Sequence, residues 1–361
     1  MRRSLRLAVL FPLSLTVACS QPVKPTHPAM PETIPAQFAP APAPVAAPTP
    51  AAESAPPVLA LDKEEAFIAE TTKTSGMAPA EIRAWLAQAR YQQSVINAIT
   101  RPAEGKPWKD YRPIFLTETR IQQGRAFYAE HRDELEKVSA QTGVPVEIIV
   151  AIIGVETSYG RIAGNYRVLD ALYTLGFFYP RREEFFRAEL GHLFALAKEE
   201  NLDLATLKGS YAGAMGWGQF MPSSYRNFAR DGDGDGRRDL LGSSKDAFAS
   251  IANYFIGHGW QKGQPTFVPA MAAAGSLPFV PDGFEAKYSL ADLAARGYRP
   301  LDASAPDLPA TLLTLEGVNG PEYWIGYQNF YVITRYNRSP LYAMAVHQLA
   351  REIAAGASNA P

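Results

Sequence analysis

The chain has 361 residues, 47% hydrophobic and 20% charged, with a formal net charge of −1. That balance argues against a nucleic-acid partner, which would need a basic surface. A single cysteine excludes an internal disulfide framework.

Arg2, Arg3 and Arg6 precede an apolar run, Leu7 to Leu15, that is too short to span a membrane as a stable helix. Leu15-Thr16-Val17-Ala18-Cys19 then resembles a bacterial lipobox, with Thr16 where Leu is usual. Residues 1–18 are read as a lipoprotein signal peptide and Cys19 as a lipidated residue. The alternative is an ordinary signal cleaved near Ala18. Ser20, a non-Asp residue after the cysteine, goes with the outer membrane in lipoproteins. The expected location is therefore the periplasm, anchored to the inner leaflet of that membrane. Losing the three signal arginines, and no acid, takes the charge from −1 to −4.

Residues 19–58, lipidated Cys included, are rich in Pro and Ala and read as a disordered tether. Residues 59–355, roughly 300 in all, suffice for one large core or two coupled lobes. Residues 356–361 form a tail. Lys63–Ala98 and Arg120–Gln141 have amphipathic helical spacing, with a Pro-containing break near Arg101–Pro113. Val146 to Val155 is apolar on nearly every face and belongs inside a domain. Gly143 ends the preceding helix, and Pro145 suits the first turn of this one. Val168–Leu175, Arg182–Glu200, Leu202–Leu207 and Asp246–His258 also read as helical. Short apolar runs separated by Gly and Pro, about 261–318, predict a small β-rich insert. Tyr327–Ile333 reads as strand-like and Leu341–Ile353 as a final helix. The fold class is mainly α with a small β insert (α+β).

The buried helix ends in Glu156, followed by Thr157-Ser158-Tyr159-Gly160. Ile149, Ile153 and Glu156 share one side of it. Desolvation and the negative end of the helix dipole both disfavour the charged form, as a general acid requires. The plain alternative is a helix-ending Glu paired with Arg161 or Arg167.

Gly209, Gly213, Gly216 and Gly218 punctuate Tyr211, Met215, Trp217, Phe220 and Met221. Glycines admit a close ligand, the aromatic and Met side chains offer faces for sugar rings, and Ser210 and Gln219 can bond an N-acetyl or hydroxyl group. A tight structural loop reads equally well. Arg181 and Arg182 follow a proline stop; they suit a carboxylate of the substrate or pair with Glu183 and Glu184. Tyr336, Asn337 and Tyr342 form a third aromatic and polar cluster, able to contact sugar or to cap the last helix.

Asp231, Asp233, Asp235, the Arg237 carbonyl and Asp239 match positions one, three, five, seven and nine of an EF-hand calcium loop, with Gly236 at six. Position twelve is Gly242, so the bidentate Glu is missing unless Asp246 or a water replaces it. Weak, structural Ca2+ is expected, with no organic cofactor.

GVETSYG, YPRREEFF, KGSYAGAMGWGQFMPSSY, the aspartate loop, IANYFIGHGW and NFYVITRYNRSPLYAMAV occur in order from about Asp62 to Ile353. Together they resemble the membrane-bound lytic murein transglycosylase B family. The resemblance implies a lysozyme-like helical core. It also implies cleavage of the β-1,4 bond between N-acetylmuramic acid and N-acetylglucosamine in peptidoglycan, leaving 1,6-anhydro ends. It makes Glu156 the single acid/base, and Ser210, Gln219, Met221, Tyr254, Tyr336, Asn337 and Tyr342 substrate contacts, with Tyr111, Arg181 and Arg182 beside them. Glycan strands and, through Cys19, a membrane are the expected partners; other cell-wall enzymes are left open. A lysozyme-type hydrolase and a non-catalytic wall-binding lipoprotein are the rival readings.

Overall fold

Helices dominate the computed structural model, which describes residues 61–101 and 106–357. The signal segment, Cys19, the Pro/Ala-rich stretch and residues 358–361 lie outside the described residues. Three helices, α1 (Leu61–Ser75), α2 (Pro79–Leu86) and α3 (Gln93–Ile99), replace the continuous one expected over Lys63–Ala98. Gly76, in the left-handed region at φ 69, ends the first. Next, α4 (Trp108–Phe115) lies inside the expected break and tolerates Pro113 within it, because Trp108, Tyr111 and Phe115 all bury. The Arg120–Gln141 stretch is α5 (Glu118–Glu130) and α6 (Arg132–Thr142), parted at His131. Thr117 starts α5, its hydroxyl accepting from Arg120 N at 3.2 Å.

Gly143, at φ 73, ends α6, and Pro145 stands at the N-cap of α7 (Val146–Thr157) rather than inside its first turn. Every residue of α7 except Glu147 and Glu156 is buried. Each large aliphatic placed there contributes roughly 1.5–3 kcal/mol of burial free energy.

β1 (Tyr166–Arg167) leads into α8 (Val168–Phe178) and α9 (Glu183–Glu199), and β2 (Lys208–Gly209) pairs back on β1 antiparallel. Leu202–Leu207 is a turn, not the expected helix. Asp203 accepts from Ala205 N at 2.9 Å and Thr206 Oγ1 at 2.8 Å, a local bonding pattern that competes with helix. Then come α10 (Pro222–Phe228) and α11 (Ser244–Gly257).

The insert holds β3 (Phe267–Ala272), α12 (Leu290–Ala295), β4 (Tyr298–Pro300), β5 (Thr311–Gly317) and β6 (Gly320–Gly326). Its strands form one antiparallel sheet in the order β4-β3-β6-β5. The insert thus runs to Gly326, past the expected end near 318, because β6 returns on β5 with Thr311 opposite Gly326. It has its own small core around Leu293, Tyr298, Leu312 and Ile325.

Tyr327–Ile333, expected as strand, belongs mostly to α13 (Gln328–Tyr336). Its aromatic and β-branched composition mimics a strand, but burying Asn329, Phe330, Val332 and Ile333 together needs helical geometry. The chain closes with α14 (Pro340–Ala357), which packs on α7, α5, α4 and α13. No single helix among the described residues is long and apolar enough to cross a membrane.

Candidate active site

The last turn of α7 presents Glu156, and the chain then bends through two left-handed non-glycine residues, Ser158 (φ 50) and Tyr159 (φ 63). Such backbone is strained and persists only where neighbours hold it. Tyr159 N donates to Ile153 O at 3.2 Å and Tyr159 Oη to Arg120 O at 2.8 Å. Thr157 Oγ1 is shared between Ile153 O at 3.1 Å and Trp217 O at 3.0 Å. A Cβ at Gly154 would meet the Tyr159 ring at 2.7 Å, so glycine there seats the ring under the turn.

Glu156 is half-buried. Its Oε1 accepts from Tyr342 Oη at 2.6 Å. Burial pushes the pKa up to about 8, while the Tyr342 bond pulls the other way. The plain alternative of an ion pair is not what the fold builds. Arg167 pairs with Asp170, Arg161 is exposed, and no cation contributes to the Glu156 shift. At neutral pH the carboxyl holds a proton to give and, after giving it, can take one back.

The Gly209–Met221 loop lies against this turn. β1 and β2 join it to the Arg161–Arg167 segment, and Gln219 Nε2 donates to Ala163 O at 3.1 Å and Gly216 O at 3.0 Å. Gln219 itself is left-handed at φ 51. Tyr336 Oη donates to Gly218 O at 2.5 Å, and a Cβ at Gly218 would sit 2.7 Å from that hydroxyl. Gly216, at φ 71, has Leu240 O where a Cβ would go. Gly216 and Gly218 thus serve close packing within the protein. Met215 and Phe220 are buried in the core; Tyr211, Trp217 and Met221 are half-buried. Ser210 Oγ accepts from Ala214 N at 3.1 Å and Ala212 N at 3.3 Å, which rigidifies the loop's start.

Tyr342, Tyr336 and Tyr254 converge on the same region. The Glu156 charge raises the pKa of both Tyr336 and Tyr342 after burial does, which places all three together. Tyr254 Oη donates to Arg335 O at 2.6 Å, and its ring lies 4.8 Å from that of Tyr336. Asn337 is buried at the end of α13, and its Oδ1 accepts from Ser339 N at 3.0 Å just before α14. Tyr111, buried in α4, acts on Tyr342 electrostatically and so borders the site from another helix. Arg181 is exposed, whereas the Arg182 guanidinium lies over the rings of Phe185 at 4.3 Å and Phe186 at 5.0 Å.

Two features escaped sequence reasoning. Tyr342 donates to Glu156 from 186 residues away, a pairing that no local pattern announces. Thr157, beside the acid, bolts the helix to the Trp217 carbonyl.

The aspartate loop is separate. Carboxylate oxygens of Asp231, Asp233 and Asp246 lie within 4.8 Å of one another. Asp246 comes from the first turn of α11, and its two oxygens accept from Gly232 N at 2.7 Å and Asp239 N at 2.6 Å. Asp235 and Asp239 instead accept from backbone amides of the loop, Arg237 N at 2.8 Å and Gly242 N at 2.9 Å. Asp246 thus stands beside the loop that lacks an acid at Gly242. Clustered hard oxygen donors of this kind fit Ca2+.

Known proteins match this arrangement. Residues 61–351 match the family described as Transglycosylase SLT domain. The membrane-bound lytic murein transglycosylase B of Escherichia coli (strain K12) is 44% identical over 298 residues, 80% of this chain and 81% of that protein. The soluble lytic transglycosylase SltB1 of Pseudomonas aeruginosa is 47% identical, with a TM-score of 0.76 over 82% of this chain and 99% of that one. The Escherichia coli lytic transglycosylase Slt35, solved in complex with calcium, is 43% identical, with a TM-score of 0.75 over 82% and 94%. The chain belongs to the membrane-bound lytic murein transglycosylase B family and carries a transglycosylase SLT domain.

Proposed function

We propose that this lytic transglycosylase cleaves the β-1,4 bond between N-acetylmuramic acid and N-acetylglucosamine of peptidoglycan with Glu156 as its only acid and base. The observation that carries this is one half-buried carboxyl of raised pKa, held by a neutral donor. Paired-carboxyl glycosidases need a second free acid across the scissile bond. Two other buried acids, Asp170 and Glu189, are occupied. Asp170 is bonded by Arg167 and by Arg90 N at 2.8 Å. Glu189 accepts from Ser223 N at 2.9 Å and Ser223 Oγ at 2.6 Å.

Glu156 gives its proton to the leaving glycosidic oxygen as the bond to muramic C1 breaks. The muramic N-acetyl oxygen stabilises the electron-poor carbon, oriented by Ser210 and Gln219. The Glu156 carboxylate then takes the proton of the muramic 6-hydroxyl, whose oxygen closes on C1. Met221, Tyr254, Tyr336, Asn337 and Tyr342 line the sugar site, with Tyr111, Arg181 and Arg182 toward the peptide. Digestion of purified sacculi in heavy-oxygen water tests the reaction: new ends should be 1,6-anhydromuramyl and carry no label. Labelled reducing ends would establish the lysozyme-type hydrolase instead.

Asp231, Asp233 and Asp246, with the Arg237 carbonyl and Asp235 and Asp239 at the loop's other ligand positions, would hold a structural Ca2+, which supplies charge neutralisation and no chemistry. The loop lies between the Gly209–Met221 segment and α11, so its effect is on stability. Affinity in the weak extracellular range, about 10⁻⁴ to 10⁻³ M, gives roughly 1.4 kcal/mol at tenfold excess. Millimolar calcium should raise the melting temperature, and Asp231→Ala should abolish that rise. A melting temperature indifferent to both would leave the loop an acidic turn.

Cys19, lipidated, would anchor the enzyme in the inner leaflet of the outer membrane, with residues 19–58 giving it reach to the wall. Two or three acyl chains anchor firmly where one is marginal. Cys19→Ser should move the protein from the membrane fraction to the soluble periplasm, or block its maturation. A wild type already soluble would refute the anchor.

A further inference from the structure

Glu189 is, among the described residues, the other acid whose pKa burial pushes up strongly, to about 7. It lies on α9, 4% exposed, and both its oxygens are spent on one residue, Ser223, through its amide and its hydroxyl. Ser223 is the second residue of α10, two positions after Met221 and four after the strained Gln219. The loop's other moorings include Thr157 on Trp217 O, Tyr336 on Gly218 O, Trp217 N donating to Leu240 O at 3.2 Å and Gln219 Nε2 donating to Ala163 O at 3.1 Å. None of these lies beyond residue 219, and the Glu189 bonds hold the far end. Burial lowers the pKa of Arg182, a shift that the Glu189 charge opposes, and burial raises that of Glu189, a shift that Arg182 opposes. Glu189 therefore ties two segments that the sequence carries separately, Tyr179–Arg182 and Gly209–Met221.

Glu189 satisfies a first-turn amide of α10, whose N-cap Met221 offers no side-chain bond. A buried carboxyl carries a desolvation cost that a packed apolar side chain would avoid, so capping alone is a weak reason for an acid here. Fixing the loop's exit in one position is what the acid adds.

We propose that Glu189 is a positioning residue of the cleft, setting where Gln219, Met221 and Arg182 meet the substrate through its bonds to Ser223 and its charge. This rests on the reading of Glu156 as the acid, since Glu189 then never touches the reacting atoms. The loss should therefore fall on substrate binding rather than on the proton transfers.

The test is steady-state release of anhydro ends from soluble glycan strands by the mature enzyme. A companion measurement titrates an N-acetylglucosaminyl-anhydromuramyl peptide into Glu156→Gln protein with and without the second change. Glu189→Ala should raise KM by about tenfold and leave kcat within about threefold, as a displaced binding wall does. Ser223→Ala, which removes one bond and keeps the charge, should raise KM by about threefold. Glu189→Gln retains an acceptor oxygen and should recover most of the lost affinity. Peptide affinity in the Glu156→Gln background should fall in the same order.

Folded Glu189→Ala and Ser223→Ala proteins with wild-type KM and peptide affinity would overturn the proposal. So would a collapse of kcat at unchanged KM, because Glu189 would then be a reacting group. If Glu189→Ala does not fold, Ser223→Ala and Glu189→Gln decide alone. A wild type that yields no anhydro ends defeats the assigned reaction, and the peptide titrations still report on Glu189.

Discussion

Glu156→Gln should leave a folded protein whose turnover on purified sacculi is lower by on the order of a hundredfold or more, the usual cost of losing a general acid. The amide matches the carboxyl in size and still offers an oxygen to Tyr342 Oη, so the 2.6 Å contact can persist. What disappears is the transferable proton in the first half-reaction and the base in the second. Both steps fail together, which is why the effect exceeds that of any wall residue.

The same substitution makes a stability prediction of definite sign. The folded pKa of Glu156, about 8, lies above its ordinary value of 4.5. The native state therefore holds a proton that the unfolded chain has released. Stability from this group is complete below pH 4.5 and is lost as the pH rises through 8. The glutamine variant has no such loss, so its melting temperature should gain on the wild type across that window. Normal wall digestion by the folded variant, or a constant difference in melting temperature from pH 4.5 to 8, would remove Glu156 from its role.

Glu156 stood out as the candidate acid because two signals coincide at one place, an all-apolar helix and a carboxyl at its end. The helices α5 to α9, α11 and α14 were legible for the same reason, since periodicity survives wherever one face is buried. Pro113 and Tyr327–Ile333 misled for opposite reasons. The first is a strong local breaker that three buried aromatic residues override, and the second has strand composition but helical burial. The glycine-rich loop was legible as a tight segment, but what its glycines pack against was not. Its glycines answer to Leu240 O and the Tyr336 hydroxyl, partners that are remote in sequence. Asp246 was visible as a substitute for the missing twelfth ligand. Its double bonding to Gly232 and Asp239 could be seen only once α11 had been placed.

Tyr342→Phe should be the most damaging single change outside Glu156. The hydroxyl is buried at 0% exposure and spends its hydrogen on the Glu156 carboxyl. When the proton has gone to the leaving oxygen, that bond becomes charge-assisted and stabilises the new carboxylate. Hydrogen bonds to charged groups are worth about 1.5–3 kcal/mol, so kcat should fall about tenfold to a hundredfold. Phenylalanine fills the same space and leaves no empty cavity, and the ring still packs in α14. The pH profile separates this from a packing defect. Activity needs protonated Glu156 and should decline in the wild type as pH rises through about 8. The Tyr342 bond holds that pKa down, so its removal should shift the basic limb to higher pH while lowering the plateau. A lowered plateau with an unmoved limb would mean that Tyr342 only packs. An unchanged plateau would mean that the carboxylate is stabilised elsewhere, and Tyr336, whose pKa the Glu156 charge also raises, would be the next hydroxyl to remove.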